Sequence, residues 1–145
     1  MRILLSIIFI MSFATLSFAA AKPTSSGVER QITVGGCTMN IISMQTPNEH
    51  ANGLLGYTED TFAYDGMLFD MKRNDRKYFH TMGMKMPIRI MGVEQVSADV
   101  YKVVGPVRKA PPGIRSIEIN APDVFEIPEA KYLLRYRACL NAAEE

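Results

Sequence analysis

The clearest chemical pattern in this chain of 145 residues is a run of alternate side chains: His80, Met82, Met84 and Met86. In an extended strand, successive side chains point to opposite faces, so these four would share one face. Thioether sulfur is a soft ligand that suits Cu(I), and imidazole also suits copper. The run therefore predicts a surface copper site. The alternative is a methionine-lined core strand, because methionine fills irregular apolar space well.

Glu118 is the candidate for a catalytic acid or base. It stands between two isoleucines in an alternating run, so it is either a buried carboxylate that accepts backbone hydrogen bonds or an outward-facing charge. Glu126, between phenylalanine and isoleucine, allows the same two interpretations. No spacing in the sequence shows that the two carboxylates meet.

Several motifs that mark common chemistries are missing from the sequence. It has no phosphate-binding loop, no Gly-x-Ser-x-Gly, no His-Glu-x-x-His and no Cys-x-x-Cys. These absences count against nucleotide-binding, hydrolase, zinc-protease and dithiol-redox chemistry.

The two cysteines, Cys37 and Cys139, stand near opposite ends of the chain. In an exported protein an even number of cysteines predicts a disulfide, which would hold the C-terminal segment to the first hairpin. The alternative is two separate buried thiols. A catalytic cysteine is disfavoured, because the local sequence supplies no base to activate it.

Residues 1–21 have the pattern of a secretory signal peptide: a basic start, a short apolar run and small residues suited to cleavage. The alternative is a retained membrane anchor, but the apolar run is shorter than the roughly 20 residues of a spanning helix. We therefore expect a periplasmic or secreted protein with no stable membrane span after cleavage. One domain, residues 22–145, would remain.

The charge balance argues against a nucleic-acid partner. Removing residues 1–21 removes Arg2 and leaves 15 basic and 15 acidic side chains. Binding to nucleic acid usually needs a basic surface, which this composition does not supply.

Short alternating runs, separated by glycine and proline, predict a mainly β domain. The domain would be a β-sandwich or a partly closed barrel of six to eight strands. Thr46, Pro47 and Glu49 predict the start of one short internal helix, with a capping box. Residues 128–142 predict a C-terminal helix, and residues 78–91 a mostly extended segment.

A spaced constellation of motifs resembles the domain of unknown function 192 family of small prokaryotic proteins. The motifs are Gly53-Leu54-Leu55-Gly56, Gly66-Met67-Leu68-Phe69, and Phe79 through Pro87-Ile88. The resemblance implies a compact, mainly β, often exported domain and no settled biochemical role. The chain departs from the family pattern, which has arginines where Asn52 and Tyr57 stand and an acidic residue where Arg89 stands.

These observations predict a non-enzymatic binding or accessory module of the cell envelope, whose partner is a small molecule or an envelope protein. Glycines would allow close approach of a ligand, and aromatic side chains would supply apolar walls. The expected binding patch comprises Gly53, Gly56, Tyr57, Gly66, Met67, Phe69, Phe79 and Pro87. This hypothesis needs no cofactor. The alternatives are a periplasmic Cu(I)-binding protein that uses the His80–Met86 run and an enzyme that uses Glu118.

Overall fold

The protein is a mainly β domain, as the sequence predicts. The computed structural model describes residues 27–141, so the predicted signal peptide over residues 1–21 lies outside the described residues. In chain order the elements are β1 (Val28–Val34), β2 (Cys37–Met44), α1 (Pro47–Asn52), β3 (Gly66–Phe69), β4 (Asp75–Phe79), β5 (Ile88–Ser97), β6 (Val100–Ala110), β7 (Ile117–Ala121), β8 (Asp123–Pro128), α2 (Glu129–Lys131), a π-helical turn (Tyr132–Tyr136) and α3 (Arg137–Asn141).

Six strands form a closed barrel in the order β1-β2-β3-β8-β5-β6. Short parallel pairing of Thr33 and Val34 in β1 with Val100 and Tyr101 in β6 closes it. The remaining strands, β4 and β7, pair with each other as a separate antiparallel sheet. The barrel is therefore closed rather than partly closed, and a small second sheet accompanies it.

A tight turn at Gly35 and Gly36 joins β1 to β2. Both residues have positive φ, at 59° and 92°, a combination that glycine adopts without steric cost. A Cβ atom at Gly35 would lie only 2.6 Å from the carbonyl oxygen of Cys139, so this glycine also allows the C-terminal helix to approach the hairpin.

Two apolar clusters stabilise the domain. The first takes side chains from all six barrel strands, including Ile32, Leu68 and Phe125, and therefore fills the barrel. The second includes Met44 and Phe69 from the opposite strand faces, together with Ile117, Ile119 and Ala121 from β7. The second cluster thus fills the space between the barrel wall and the small sheet.

The short internal helix α1 begins where the sequence predicts. The Thr46 side chain accepts a hydrogen bond from the Glu49 backbone N–H, and the Glu49 carboxylate accepts one from the Thr46 N–H. The helix ends at Asn52, and Gly53 follows as its C-cap residue.

The C-terminal helical segment lies against the barrel and is anchored at its far end by a disulfide between Cys37 and Cys139, as predicted. Their Cα atoms are 6.0 Å apart. Tyr132 and Leu140 of this segment are buried in the first cluster. The predicted continuous helix is interrupted by the π-helical turn, and residue 142 lies outside the described residues. Between residues 27 and 141, no helix has the length and apolar character needed to cross a membrane.

Candidate functional site

An open cavity of about 360 Å³ lies between α1, the end of β3, β4 and the segment that follows β4. Its volume falls at the lower end of the range for small-molecule sites. Its lining includes His50, Ala51, Gly53, Leu55, Phe69, Met71, Lys77, Tyr78, Phe79, His80, Met82, Met84 and Glu126.

Glu126 is the buried polar residue of this cavity. In β8 it pairs with Met67 of β3 and with Ile90 of β5, both of which belong to the second apolar cluster. Strand alternation places Glu126 on the same face as Val124, toward that cluster and away from the barrel interior. The β8 strand therefore carries a carboxyl group into apolar surroundings.

Burial alone raises the pKa of the Glu126 carboxyl, from 4.5 to about 8. The side chain is only 1% exposed, and its Oε2 atom has no hydrogen-bond partner among the described residues. Because an isolated buried carboxylate is costly, the group stays protonated near neutral pH. A neutral carboxylic acid can both donate and accept a hydrogen bond, so it can bind a polar group of a ligand.

Gly53 leaves the approach to this carboxyl group open. A Cβ atom at Gly53 would lie 3.9 Å from Glu126 Oε2 and 3.2 Å from Cζ of Phe69. The Phe69 ring meets the Phe79 ring edge to face, with centroids 5.3 Å apart. Two aromatic rings thus form an apolar wall beside the acid.

His50, on the short helix α1, lies at the same cavity. Its side chain is half-buried, and Nε2 donates a hydrogen bond of 2.8 Å to the carbonyl oxygen of Met44. Since a carbonyl oxygen only accepts, the Nε2 atom carries the proton of this hydrogen bond.

The prediction that His80, Met82, Met84 and Met86 share one face of a strand is wrong. Because β4 ends at Phe79, residues 80–87 form turns, and their side chains do not share one strand face. Nevertheless, His80, Met82 and Met84 line the cavity, whereas Met86 is buried in the second apolar cluster.

His80 holds the turn through its own ring, since Nδ1 accepts a hydrogen bond of 3.2 Å from the Met82 backbone N–H. Among residues 27–141, no group of three or more His, Cys, Asp or Glu side chains is arranged to hold a metal ion. A soft metal ion at this cavity would therefore depend on methionine sulfur atoms.

The predicted binding patch separates into two groups. Gly53, Phe69 and Phe79 line the cavity as expected. The other five residues lie elsewhere: Gly56, Tyr57, Gly66, Met67 and Pro87.

Packing explains why most of those five do not face the cavity. Tyr57 is buried against Phe62, and Met67 is fully buried in the second cluster. A Cβ atom at Gly66 would overlap the ring of Phe125, so this glycine serves close packing rather than ligand approach.

Glu118 faces solvent on β7. Its side chain is 50% exposed and forms an ion pair of 2.8 Å with Arg76. It borders a different, more polar depression that contains Arg108 and Asn120. Of the two interpretations of Glu118, the outward-facing charge is correct. The buried carboxyl group belongs to Glu126 instead.

A sequence signal for Glu126 exists in the strand pattern. Both alternating positions of β8 are apolar, with Val124 on one side and Phe125 and Ile127 on the other, so both strand faces are buried. In β7, by contrast, Glu118 and Asn120 alternate with buried isoleucines. This is the pattern of a strand with one face exposed to solvent.

Comparisons with known proteins support the fold and give no information about activity. No family model matches the chain, and no curated protein matches it. Two solved structures share the fold. A putative transcription regulator from Sinorhizobium meliloti 1021 aligns with a TM-score of 0.57 and 18% identity, over 74% of this chain and 86% of that chain. A protein of unknown function from Novosphingobium aromaticivorans DSM 12444 aligns with a TM-score of 0.56 and 23% identity, over 79% of this chain and 86% of that chain. At these identities the likeness shows a shared architecture and no activity.

Proposed function

We propose that this protein is a non-enzymatic binding module of the bacterial cell envelope, which holds a small molecule in the cavity between α1 and β4. One observation carries this proposal: the buried Glu126 carboxyl group faces an apolar-walled cavity, and its Oε2 atom has no partner among the described residues. Buried polar atoms are usually satisfied, so an unsatisfied one at an open cavity points to a ligand.

Binding is favoured over catalysis by the surroundings of that carboxyl group. General acid–base catalysis normally uses a second group that orients or exchanges the proton, within hydrogen-bond distance. Glu126 Oε2 has no such neighbour among residues 27–141, and the exposed Glu118 is engaged with Arg76. The walls of the cavity are aromatic rings and thioethers, which suit retention of a ligand more than its conversion.

Location in the envelope is supported by two features of the chain. Residues 1–21 have the pattern of a cleavable leader, and Cys37 and Cys139 lie at disulfide distance. Mass spectrometry of the protein recovered from the periplasm of a bacterial host tests this. We expect the first 19 or 21 residues to be missing, and a full-length product in the cytoplasm would contradict the proposal.

Membership of the domain of unknown function 192 family stays a prediction. The motifs that carry it include Gly53, Phe69 and Phe79, which line the cavity. We therefore propose that the resemblance marks the binding site as well as the fold.

The binding proposal is tested with benzyl alcohol, a probe that has an apolar ring and one hydroxyl group. We expect NMR shift changes at the cavity residues and weaker binding by Ala51→Trp, because Ala51 is an exposed residue of the cavity wall that a larger side chain would fill. The matched control is Ala98→Trp, at an exposed turn between β5 and β6. If Ala51→Trp binds the probe as well as the parent protein does, or if the shift changes lie away from the cavity residues, the cavity is not the site.

Binding of Cu(I) is the second candidate function, favoured by a specific convergence. Both histidines of the chain, His50 and His80, and three methionines, Met71, Met82 and Met84, line the same cavity. Thioethers and imidazole form a soft ligand set that suits Cu(I). The segment after β4 reaches this arrangement through turns, not through the strand face that the sequence predicts.

A further inference from the structure

We propose, on the basis of the proposed binding function, that the natural ligand is a small organic ammonium ion whose positive group contacts Glu126 and whose apolar part contacts the aromatic wall. The ligand class would therefore be primary to quaternary amines with a compact apolar body. Three properties of the cavity support this class: a missing counter-charge, the chemistry of the walls, and the proton held by the buried acid.

The first property is that, within residues 27–141, Glu126 Oε2 has no hydrogen-bond partner and no cation offsets the effect of burial on this carboxyl group. Lys77 lines the same cavity, but its Nζ atom donates hydrogen bonds to Asp75 Oδ1 at 2.5 Å and to the carbonyl oxygen of Ala121 at 2.6 Å. Its ammonium group is therefore held at the β4–β7 sheet. Charge-assisted hydrogen bonds are the strong ones, so a ligand that brings its own cation gains most from this acid.

The second property is the composition of the walls. Phe69, Phe79 and Tyr78 present aromatic rings to the cavity, and Met82 and Met84 present polarizable sulfur. The face of an aromatic ring attracts an ammonium ion, most strongly where water is excluded. Lys77 also lines the cavity, but Asp75 and the carbonyl oxygen of Ala121 already engage its ammonium group, so it does not favour an anionic ligand over a cationic one.

The third property is the protonation of the acid. Because burial raises the pKa of Glu126 to about 8, the free site is neutral near pH 7. A bound ammonium ion favours the carboxylate, so binding must release a proton. The other titratable side chains around this cavity are His50 on α1, Lys77 and Tyr78 on β4, and His80 in the turn after β4.

Three probes of nearly equal shape distinguish a cationic ligand from a neutral polar ligand and an apolar one. They are benzylammonium, benzyl alcohol and toluene, and each is titrated into the purified protein near pH 7 and followed by NMR. We expect benzylammonium to bind at least about tenfold more tightly than the two neutral probes. Its affinity should rise by roughly tenfold from pH 6 to pH 7, because one proton leaves on binding. Calorimetry in two buffers of different ionisation enthalpy measures that proton directly in the unmodified protein.

The variant Glu126→Gln removes the charge and keeps the shape. It should bind the three probes about equally, and its binding of benzylammonium should lose most of the pH dependence. Equal binding of all probes by the unmodified protein, or binding without proton release, would overturn the ammonium proposal and leave the binding function standing. Failure of all three probes to bind would overturn both.

Discussion

The guanidinium group of Arg89 on β5 forms two hydrogen bonds with the carboxylate of Glu129 at the start of α2, at 2.5 and 3.0 Å. It also lies over the ring of Tyr132, 4.5 Å from the ring centroid. Both charged side chains are largely shielded from solvent. This ion pair fixes the first turn of the C-terminal helical segment to the barrel.

Removing one partner of this pair should destabilise the fold. Glu129→Gln removes the carboxylate charge that Arg89 contacts through two hydrogen bonds in a largely shielded position, and we expect a loss of about 2 kcal/mol in the free energy of unfolding, measured with urea. The control is Glu118→Gln, which breaks the exposed pair with Arg76 and should cost less than about 1 kcal/mol. Equal small losses in the two variants would contradict this account of Arg89.

The buried acid makes stability depend on pH. The folded protein holds a proton on Glu126 up to about pH 8, whereas the unfolded chain loses it near the ordinary value of 4.5. The folded state therefore binds more protons between these values, and this group makes stability fall as pH rises through them. At pH 7 the cost approaches about 3 kcal/mol. Glu126→Gln should remove this slope and be more stable than the parent near pH 7.

Urea unfolding of both proteins at several pH values between 5 and 8 checks this prediction. The parent and the variant should have similar stability at the acidic end, where Glu126 is neutral in the folded state. A parent protein whose stability changes with pH just as the variant does would mean that Glu126 is not the buried neutral acid described above.

The disulfide should contribute strongly to stability, because it joins residues 102 positions apart. In the chain-entropy model a loop of this size is worth up to about 4.7 kcal/mol, usually less in practice. We expect the double variant Cys37→Ser/Cys139→Ser to lose several kcal/mol and to become insensitive to reductant. Reductant should lower the stability of the parent protein to that of the variant. A parent protein that unfolds at the same urea concentration with and without reductant would show that the bond is not formed.

The copper hypothesis requires the methionines that reach the cavity, Met82 and Met84, to act as ligands. Met82→Leu/Met84→Leu should weaken Cu(I) binding by at least about tenfold under reducing conditions, as measured by competition with a chromogenic chelator. Met86→Leu is the matched control, because Met86 is buried in the second apolar cluster and does not line the cavity. If the double variant binds Cu(I) as tightly as the control, the copper hypothesis is wrong.

Local signals in the sequence predicted much of the fold. Alternating runs predicted a mainly β domain, the capping box located α1, and the even number of cysteines predicted the bond between Cys37 and Cys139. Each of these features depends on residues close in sequence or on an even cysteine count. Closure of the barrel depends instead on parallel pairing of β1 with β6, which no local pattern encodes.

The candidate site was predicted only in part. Gly53, Phe69 and Phe79 were identified, but the acid of the site is Glu126 and not Glu118. Glu118 and Glu126 occupy similar strand positions, and which of them is buried depends on the elements that cover each strand. The elements beside β8 are α1 and the β4–β7 sheet, and only the complete fold brings them there. His50 was missed for the same reason, because a short exposed helix gives no sign of the cavity that it borders.

The most direct test of the binding site is the side-chain carboxyl carbon signal of Glu126, followed by NMR as pH is raised, with and without benzyl alcohol. We predict a neutral carboxyl group at pH 7, a titration midpoint at about 8, and a shift of the signal when the probe is added. A midpoint near the ordinary value of 4.5, together with a signal that the probe leaves unchanged, would contradict the proposal that this buried acid contacts the ligand.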